Sequence, residues 1–371
     1  MRDDHRHMAR AIELARRGLY TTHPNPRVGC VLVRDGAVVG EGWHRRAGEA
    51  HAERIALADA GGNARGATAY VTLEPCSHHG RTPPCADGLI EAGVSRVVAA
   101  MIDPNPLVAG QGMARLAAAG IDAVSGVLET DAAALNPGFI KRMATGRPYV
   151  RCKLAMSLDG RTAMANGDSQ WITGEDARRD VQRLRARSDA IVTGIGTVLA
   201  DDPSLNVRLS PDQLPGVESA DYLLQPLRVV LDSRLRMPPS ARMLSLPGQT
   251  LVLTVAEDLD HGVALAEAGA EVITLPGQRD ALDLGAVLDE LGSRQINEVL
   301  IEAGPTLAGA ALAAGLVDEL IVYMAPHLMG DGGRGLCHLP GLEHMADRID
   351  LTISDIRAVG RDWRITVQPA T

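Results

Sequence analysis

The first chemical signal is carried by four residues: His51 and Glu53 in "HAE", and Cys76 and Cys85 in "EPCSHHGRTPPC". One imidazole and two thiolates make a ligand set suited to zinc with its fourth position left to water. Zinc in that state lowers the pKa of the water toward neutrality and makes a hydroxide nucleophile available. Glu53, two residues beyond His51, lies close enough to carry protons and is not needed as a ligand. Cys85 follows Pro83-Pro84, and proline favours the first turn of a helix, where exposed N–H groups stabilise a thiolate. A closed structural zinc site is the alternative, and it needs a fourth protein ligand that His78 or His79 could supply.

Those residues need a scaffold, and the chain is too long for one. A single hydrophobic core stops growing well below 371 residues, so two domains are expected, 1–146 and 147–371, meeting near Gly146. The composition, 46% hydrophobic and 22% charged, is globular and unlike that of a disordered chain. No apolar run approaches the ~20 residues of a membrane span, and the charged start lacks the apolar core of a secretory signal. A cytoplasmic protein with no membrane partner is expected. The net charge of −9 repels polyanions, and 2% aromatic content leaves few stacking platforms, so nucleic acid is not the expected partner. Five cysteines, an odd and uneven set, point to metal or catalysis over a disulfide framework. Cys30, Cys152 and Cys337 are expected to be buried small hydrophobes.

Residues 2–17 read as a helix with Met8, Ala11, Ile12 and Ala15 on one face and Gly18 as its stop. "VGCVLVRDGAVVGEGW" reads as a hairpin around Asp35-Gly36. Helix and strand patterns then alternate, through helical 51–60, the strand "ATAYVTLEP", helical "ADGLIEAG", the strand "SRVVAAMID" and helical "GMARLAAAG". A second set begins at "YVRCKLAMSLDG". It continues through the helical "EDARRDVQRLRARS" and strands at "DAIVTGIG", "LRVVLDS", "TLVLTV", "EVITL", "EVLIEAG" and "DELIVYMAP". "LTISDIRAV" and "DWRITVQP" close it as an antiparallel pair. Both halves are therefore expected to be α/β, sheets covered by helices. In "VLIEAGPTLAGAAL" a strand runs through Gly304 into a helix, whose N-terminus favours a pyrophosphate; the same spacing suits an ordinary strand–helix turn. Only Lys141 and Lys153 among the 37 basic residues are lysine, so Lys153 is expected to answer a need for a compact ammonium.

H-x-E followed by P-C is a signature of zinc deaminases, although eight residues and not two separate these cysteines. The longer "CSHHGRTPPC", with "HPNPRVGCVLV" before it and "DPNPLVAGQG" after it, resembles the riboflavin-biosynthesis deaminases. "SLDGRTA", "SQWITG", "LADDPSLNVR" and "EAGPTLAGAAL" extend the likeness. Almost the whole chain is similar to the bacterial bifunctional diaminohydroxyphosphoribosylaminopyrimidine deaminase/reductase family. For the first domain the resemblance implies a three-layer cytidine-deaminase-like fold with Zn2+ on His51, Cys76 and Cys85 and Glu53 as proton shuttle. Asn25, His44 and Arg81 would hold a phosphorylated pyrimidine; Arg81 also reads as a solvated loop arginine.

For the second domain it implies a dihydrofolate-reductase-like fold that binds NADPH and reduces a ring-opened ribose to a ribityl chain. Cofactor contacts would come from Ala155, Trp171, Thr197, Asp201, Ser233 and the 304–310 stretch, namely Gly304, Pro305, Thr306, Leu307, Ala308, Gly309 and Ala310. Substrate contacts would come from Lys153, Ser169, Arg185, Leu205, Arg208 and Glu302, the two arginines being suited to phosphate. Asp201 would be the acid or would position the sugar, with a structural turn role as its alternative. Trp171 also reads as core packing. Ser233 with Arg234 would read the 2′-phosphate of NADPH. A homodimer or higher homo-oligomer is implied. Two other readings are a deaminase of free bases or nucleic acid, and a zinc-stabilised nucleotide-binding protein; Glu53 has no use in the latter.

Overall fold

Apolar strands at Gly29–Arg34 (β1), Thr68–Val71 (β3) and Arg96–Ala99 (β4) form the centre of a five-stranded sheet. Ala37–Trp43 (β2) and Asp122–Ser125 (β5) complete it in the order β2-β1-β3-β4-β5. β1 runs antiparallel to β2 and β3, while β3, β4 and β5 are parallel. The β1–β2 turn places Asp35 and Gly36 at φ 52° and 78°, the paired left-handed conformation that matches strand twist in a tight hairpin. On one face lie Ala52–Ala60 (α2), Cys85–Ala92 (α3) and Gln111–Ala118 (α4), packed through Ala56, Leu89 and Leu116. Arg2–Arg16 (α1) and Glu129–Ala133 (α5) cover the other through Met8, Ile12 and Ala132, making three layers. Pro137–Thr145 (α6) follows and ends at Gly146. The coordinates are a computed structural model that describes residues 2–77, 84–106, 108–256, 258–278 and 281–370.

The second sheet has nine strands, and its parallel part explains their continuous apolar character. They are Tyr149–Ser157 (β6), Ala190–Gly194 (β8), Leu227–Leu231 (β9), Thr250–Thr254 (β10), Ala270–Thr274 (β11), Glu298–Glu302 (β14), Glu319–Ala325 (β15), Leu351–Val359 (β17) and Asp362–Pro369 (β18). Their order is β11-β10-β9-β8-β14-β6-β15-β18-β17, parallel as far as β15 and antiparallel beyond it. Two short pairs stand apart, Arg161–Ala163 (β7) with Arg334–Gly335 (β16), and Gly277–Gln278 (β12) with Ala281–Leu282 (β13). Leu284–Ser293 (α10) and Pro305–Ala313 (α11) pack on one face through Val287, Leu291, Ala308 and Ala311. Glu175–Ala186 (α7), Ile195–Asp201 (α8) and Leu259–Glu267 (α9) pack on the other through Val181, Leu184, Val198 and Leu265.

The chain thus forms two compact units, and their division holds one departure from simple succession. The first unit runs to Gly146 but also takes in Ser210–Leu224; the second consists of Arg147–Leu209 and the chain from Gln225 onward. Among the described residues no helix is long and apolar enough to cross a membrane.

Candidate functional site

In the first unit, β2 positions the chemistry by what it lacks. A Cβ at Gly42 would overlap the Ala52 carbonyl, and one at Gly40 that of Ala56, so glycine lets α2 lie directly on the strand. His51 is the N-cap of α2 and Glu53 lies in its first turn. Cys85 opens α3, with Pro84 as its N-cap. Arg54 of α2 donates to the Pro84 carbonyl at 3.2 Å, which ties the start of one helix to the other. Cys76 follows β3 in the "LEPC" loop.

These elements bring His51 Nδ1 within 3.6 Å of Cys76 Sγ and 3.4 Å of Cys85 Sγ. All three donor atoms lie within 4.8 Å of one another. The Cys85 N–H donates to Cys76 Sγ at 3.3 Å, as expected for a thiolate beside a helix N-terminus. A hydrogen bond from the Cys85 thiol, helped by His51, holds Cys76 down to about 4, and its partner Cys85 is raised in turn. Cys76 is thus the readier thiolate of the two, and a divalent cation bound here would displace the proton from Cys85 as well. One nitrogen and two sulfurs converging on one point fit zinc with an open fourth position. Beside them Glu53 is only 3% exposed, and burial followed by the Cys76 charge pushes its carboxyl up to about 7. A carboxyl poised there accepts and returns protons near neutral pH.

His44 and Asn25 meet beside this cluster. The His44 Nδ1–H donates to the Ala50 carbonyl at 3.1 Å, so its Nε2 accepts from the Asn25 amide nitrogen at 3.0 Å. Burial holds His44 down to about 4, neutral as that tautomer requires. The amide oxygen of Asn25 is thereby turned away from the imidazole as an acceptor. Asn136 fixes the same turn from α6's N-cap position, accepting from Arg27 N–H at 2.8 Å and donating to the Arg27 carbonyl at 3.0 Å. Arg81, His78 and His79 lie outside the described residues.

Two residues of this unit were not anticipated from sequence. Asn136 is one. The other is Glu74, whose buried carboxylate accepts from the N–H groups of Asp103, Gly110, Gly112 and Met113 at 2.7–3.2 Å. It anchors the loop that carries Cys76 to the start of α4. An acid inside an otherwise apolar strand end, two residues before a ligand, was the available signal.

In the second unit a cavity of about 1900 Å³ opens at the C-terminal ends of β6, β8, β9 and β14, where ligands of parallel sheets bind. Its wall includes Lys153, Ala155, Ser169, Trp171, Arg185, Thr197, Asp201, Leu205, Arg208, Ser233, Glu302, Gly304, Pro305, Thr306, Leu307 and Ala310. Ala308 and Gly309 are not part of the wall among the described residues. Ala308 is buried in the core, and a Cβ on Gly309 would overlap the His338 carbonyl; helical rotation turns both away. Arg234 is likewise not in that wall, whereas Arg242 is, paired with Asp202. Trp171 is no core residue: it is 70% exposed, with the Arg178 guanidinium 4.9 Å from its ring centre. Cys30 and Cys152 are fully buried as expected, and Cys337 is half-buried.

The charged centre of the cavity is Glu302, at the end of β14. Its carboxylate accepts a two-pronged pair from Arg185 Nε at 2.6 Å and Nη2 at 2.9 Å. Arg185 Nη1 donates to the Asn206 carbonyl at 3.2 Å, so its fork is committed within the protein. Glu302 stays ionised below the usual carboxylate range because Arg185, with help from Lys153, outweighs its burial. Lys153 is pulled below the ordinary lysine value by burial, with Glu302 opposing. Arg208, less committed, donates to Asn206 Oδ1 at 3.0 Å, and its backbone is held by Gln182. Asp201 ends α8 and accepts from Gln170 at 3.3 Å, and Asp202 accepts from the Arg242 N–H at 2.8 Å. Gly304, at the N-cap of α11, has an ordinary extended conformation, and a Cβ there would meet no protein atom. Neither backbone nor packing asks for glycine there; a phosphate group set against the helix N-terminus does. The cavity therefore fits a dinucleotide cofactor.

Comparisons with known proteins cover both units. Residues 1–101 match the model of the cytidine and deoxycytidylate deaminase zinc-binding region, and residues 148–365 match that of the RibD C-terminal domain. The riboflavin biosynthesis protein RibD of Escherichia coli K12 is 56% identical over 364 residues, 98% of each chain. That of Haemophilus influenzae is 52% identical over 98% of this chain and 96% of its own. In solved structures, Acinetobacter baumannii RibD superposes with a TM-score of 0.92 at 47% identity, covering 100% of this chain and 99% of the other. A diaminohydroxyphosphoribosylaminopyrimidine deaminase/5-amino-6-(5-phosphoribosylamino)uracil reductase from Thermotoga maritima does so with 0.85 at 33% identity, with the same coverage. With a zinc-deaminase unit and a reductase unit matched end to end, the chain belongs to the RibD family of bifunctional riboflavin-biosynthesis enzymes.

Proposed function

We propose that the two units act in succession on one phosphorylated pyrimidine. The first deaminates 2,5-diamino-6-ribosylamino-4(3H)-pyrimidinone 5′-phosphate at its 2-amino group. The second reduces the ribosyl group to ribityl, giving 5-amino-6-(5-phospho-ribitylamino)uracil. The observation that carries this reading is Glu53, a buried carboxyl beside a three-donor cluster with no ligand duty of its own.

His51, Cys76 and Cys85 would hold zinc, whose Lewis acidity makes a water nucleophilic near neutral pH. Glu53 would take one proton from that water and pass it to the ring nitrogen, then take the second from the hydroxyl added to the carbon and pass it to the amine, which leaves as ammonia. Asn25 presents its amide oxygen to an amino or N–H group of the pyrimidine, and His44 fixes that orientation. Arg81 supplies a phosphate or ribose contact.

In the second unit NADPH would supply a hydride to the sugar carbon. Lys153 and Glu302 lie at the sugar, Lys153 placing an ammonium where negative charge develops on oxygen. Arg185 holds Glu302 in place. Arg208 receives the phosphate, with Ser169 and Leu205 completing the substrate wall. Asp201 positions the sugar or supplies the proton. Trp171, Ala155 and Thr197 seat the nicotinamide half, and the 304–307 turn with Ala310 seats the pyrophosphate. Ser233 reads the 2′-phosphate, and Arg242, which lines the same cavity, takes the part that sequence spacing gave to Arg234. The protein works in the cytoplasm as a homodimer or higher homo-oligomer. Support for self-association comes from β17, an exposed edge strand carrying Ile353 and Ile356, since such edges invite pairing.

A coupled assay tests this: zinc content, ammonia release and NADPH oxidation for wild type and Glu53→Ala. Wild type should release ammonia and oxidise NADPH. The variant should keep zinc, release no ammonia and still reduce pre-deaminated substrate. Ammonia release without NADPH oxidation by wild type would remove the second half of the proposal.

A further inference from the structure

Residues 210–224 belong by sequence to the reductase half, inside the 148–365 match to the RibD C-terminal domain, yet they fold with the first unit. We infer that this excursion is a positioning segment of the deaminase site and sets its affinity for the pyrimidine. The inference rests on the deaminase reading above and assigns it residues outside the deaminase half of the sequence.

The excursion has a defined shape of its own. In the second unit Gln225 closes its base, accepting from the Val207 N–H at 2.9 Å and donating to the Val207 carbonyl at 3.0 Å. Ser210 and Gln213 form a capping box on the short turn Pro211–Gln213, and Ser219 caps Ala220–Tyr222. Between those turns Leu214 and Val217 are 2% and 8% exposed, so the segment is packed. Gly216 lies against the Arg17 carbonyl, where a Cβ would overlap it, and its φ of +83° disfavours any side chain.

What it touches leads directly to the site. The Glu218 carboxylate faces two guanidinium groups, Arg17 at 3.7 Å and Arg45 at 3.5 Å. Both stack on Trp43, with their central carbons 3.7 Å and 4.7 Å from the ring centre. Arg46 lies over Tyr222 of the same segment at 5.7 Å. Trp43, Arg45 and Arg46 bracket His44, whose ring orients the Asn25 amide and meets His51 edge to face at 5.4 Å. Each exposed ion pair is weak alone. Together with the seated Gly216 they fix the backbone on both sides of His44, while His51, Glu53 and Cys85 are held by α2 and α3 and Cys76 by the loop that Glu74 anchors.

Loss of this support should therefore weaken substrate binding and spare the chemistry. The test uses the full-length enzyme carrying Gly216→Val, which forces the segment off Arg17, and Glu218→Lys, which turns an attraction into repulsion. For Gly216→Val the KM for deamination should rise about fivefold or more with kcat within about twofold, the pattern of lost uniform binding. Glu218→Lys should move KM the same way by less. Zinc content should stay at the wild-type level in both, and so should NADPH oxidation on pre-deaminated substrate. Unchanged deamination in Gly216→Val would overturn the inference. So would a joint fall in zinc content, kcat and reduction, because that is the mark of a merely structural role. Wild-type enzyme that releases no ammonia would instead overturn the deaminase reading, and this inference with it.

Discussion

Around His51 the three ligand atoms lie within 4.8 Å of one another, those of His51 and Cys85 at two helix starts and that of Cys76 in the loop after β3. Around Glu302 they are spread over about 1900 Å³ and come from strand ends that are distant in sequence. The compact site gathers thiolate character on Cys76 and would have it neutralised by a cation from outside. The open site balances its one carboxylate from within, Glu302 facing Arg185 and Lys153. Hydrolysis needs one activated water held still, which a closed cluster supplies. Hydride transfer needs two large molecules side by side, which only a broad cavity admits.

The sharpest break between the sites is chemical. Glu53→Gln should lower ammonia release by about 10²–10⁴-fold, the usual worth of a positioned acid–base group, with zinc retained. NADPH oxidation on pre-deaminated substrate should not change. Ammonia release within about threefold of wild type would show that the shuttle lies elsewhere.

Glu302→Ala is the matching change in the other unit, and its signature is different. It strands Arg185 and Lys153 in a buried place without their counter-charge, which costs about 3–5 kcal/mol in stability as well as reductase activity. A thermal melt should show a destabilised transition, and reduction should fall by about 10²-fold or more. Deamination at a temperature where the variant is folded should persist. Wild-type stability in this variant would mean that the Arg185–Glu302 pair is not the support it is taken to be.

The two sites also differ in how far they could be read from sequence. His51, Glu53, Cys76 and Cys85 were legible because one short segment supplies them all, and the motif's geometry is local. The hairpin at Asp35-Gly36, α1 and the closing β17–β18 pair were legible for the same reason, since turn residues and periodicity act over neighbours. Hidden were the pairings across the fold. Arg185 looked like a phosphate ligand until β14 brought Glu302 against it, a contact spanning 117 positions. Ala308 and Gly309 looked like cofactor contacts until the helix turned them inward. Asn136 and Glu74 spend their polar atoms on backbone groups far along the chain, which no local pattern reports.

pH separates the two sites at the alkaline end. Burial lowers Lys153 from the ordinary 10.5, so its ammonium is lost at lower pH than that of an exposed lysine. With charged Lys153 as the proposed active form, reduction should decline as pH rises through its depressed value, while deamination should show no matching limb. Lys153→Arg keeps the charge but not the compact shape, and should still lose most reductase activity. Full activity in that variant would dismiss the need for an ammonium.

Smaller effects refine the open site alone. Trp171→Ala removes an exposed ring whose place in the cavity wall has no packing purpose, and should weaken NADPH binding about tenfold in a fluorescence titration. Arg242 should matter least, and most selectively. Its backbone N–H is already held by Asp202, and its guanidinium also reaches that carboxylate at 3.6 Å, so the side chain is steered without being buried. A solvent-accessible guanidinium gains modestly from a phosphate, and Asp202 competes for it. Arg242→Ala should therefore raise the Kd for NADPH about fivefold and leave that for NADH unchanged, because only the phosphorylated ribose meets it. Arg234→Ala in the same titration should change neither. If Arg234 proves to be the selective residue, the 2′-phosphate lies against Ser233 and Arg234, and Arg242 serves only to pair with Asp202.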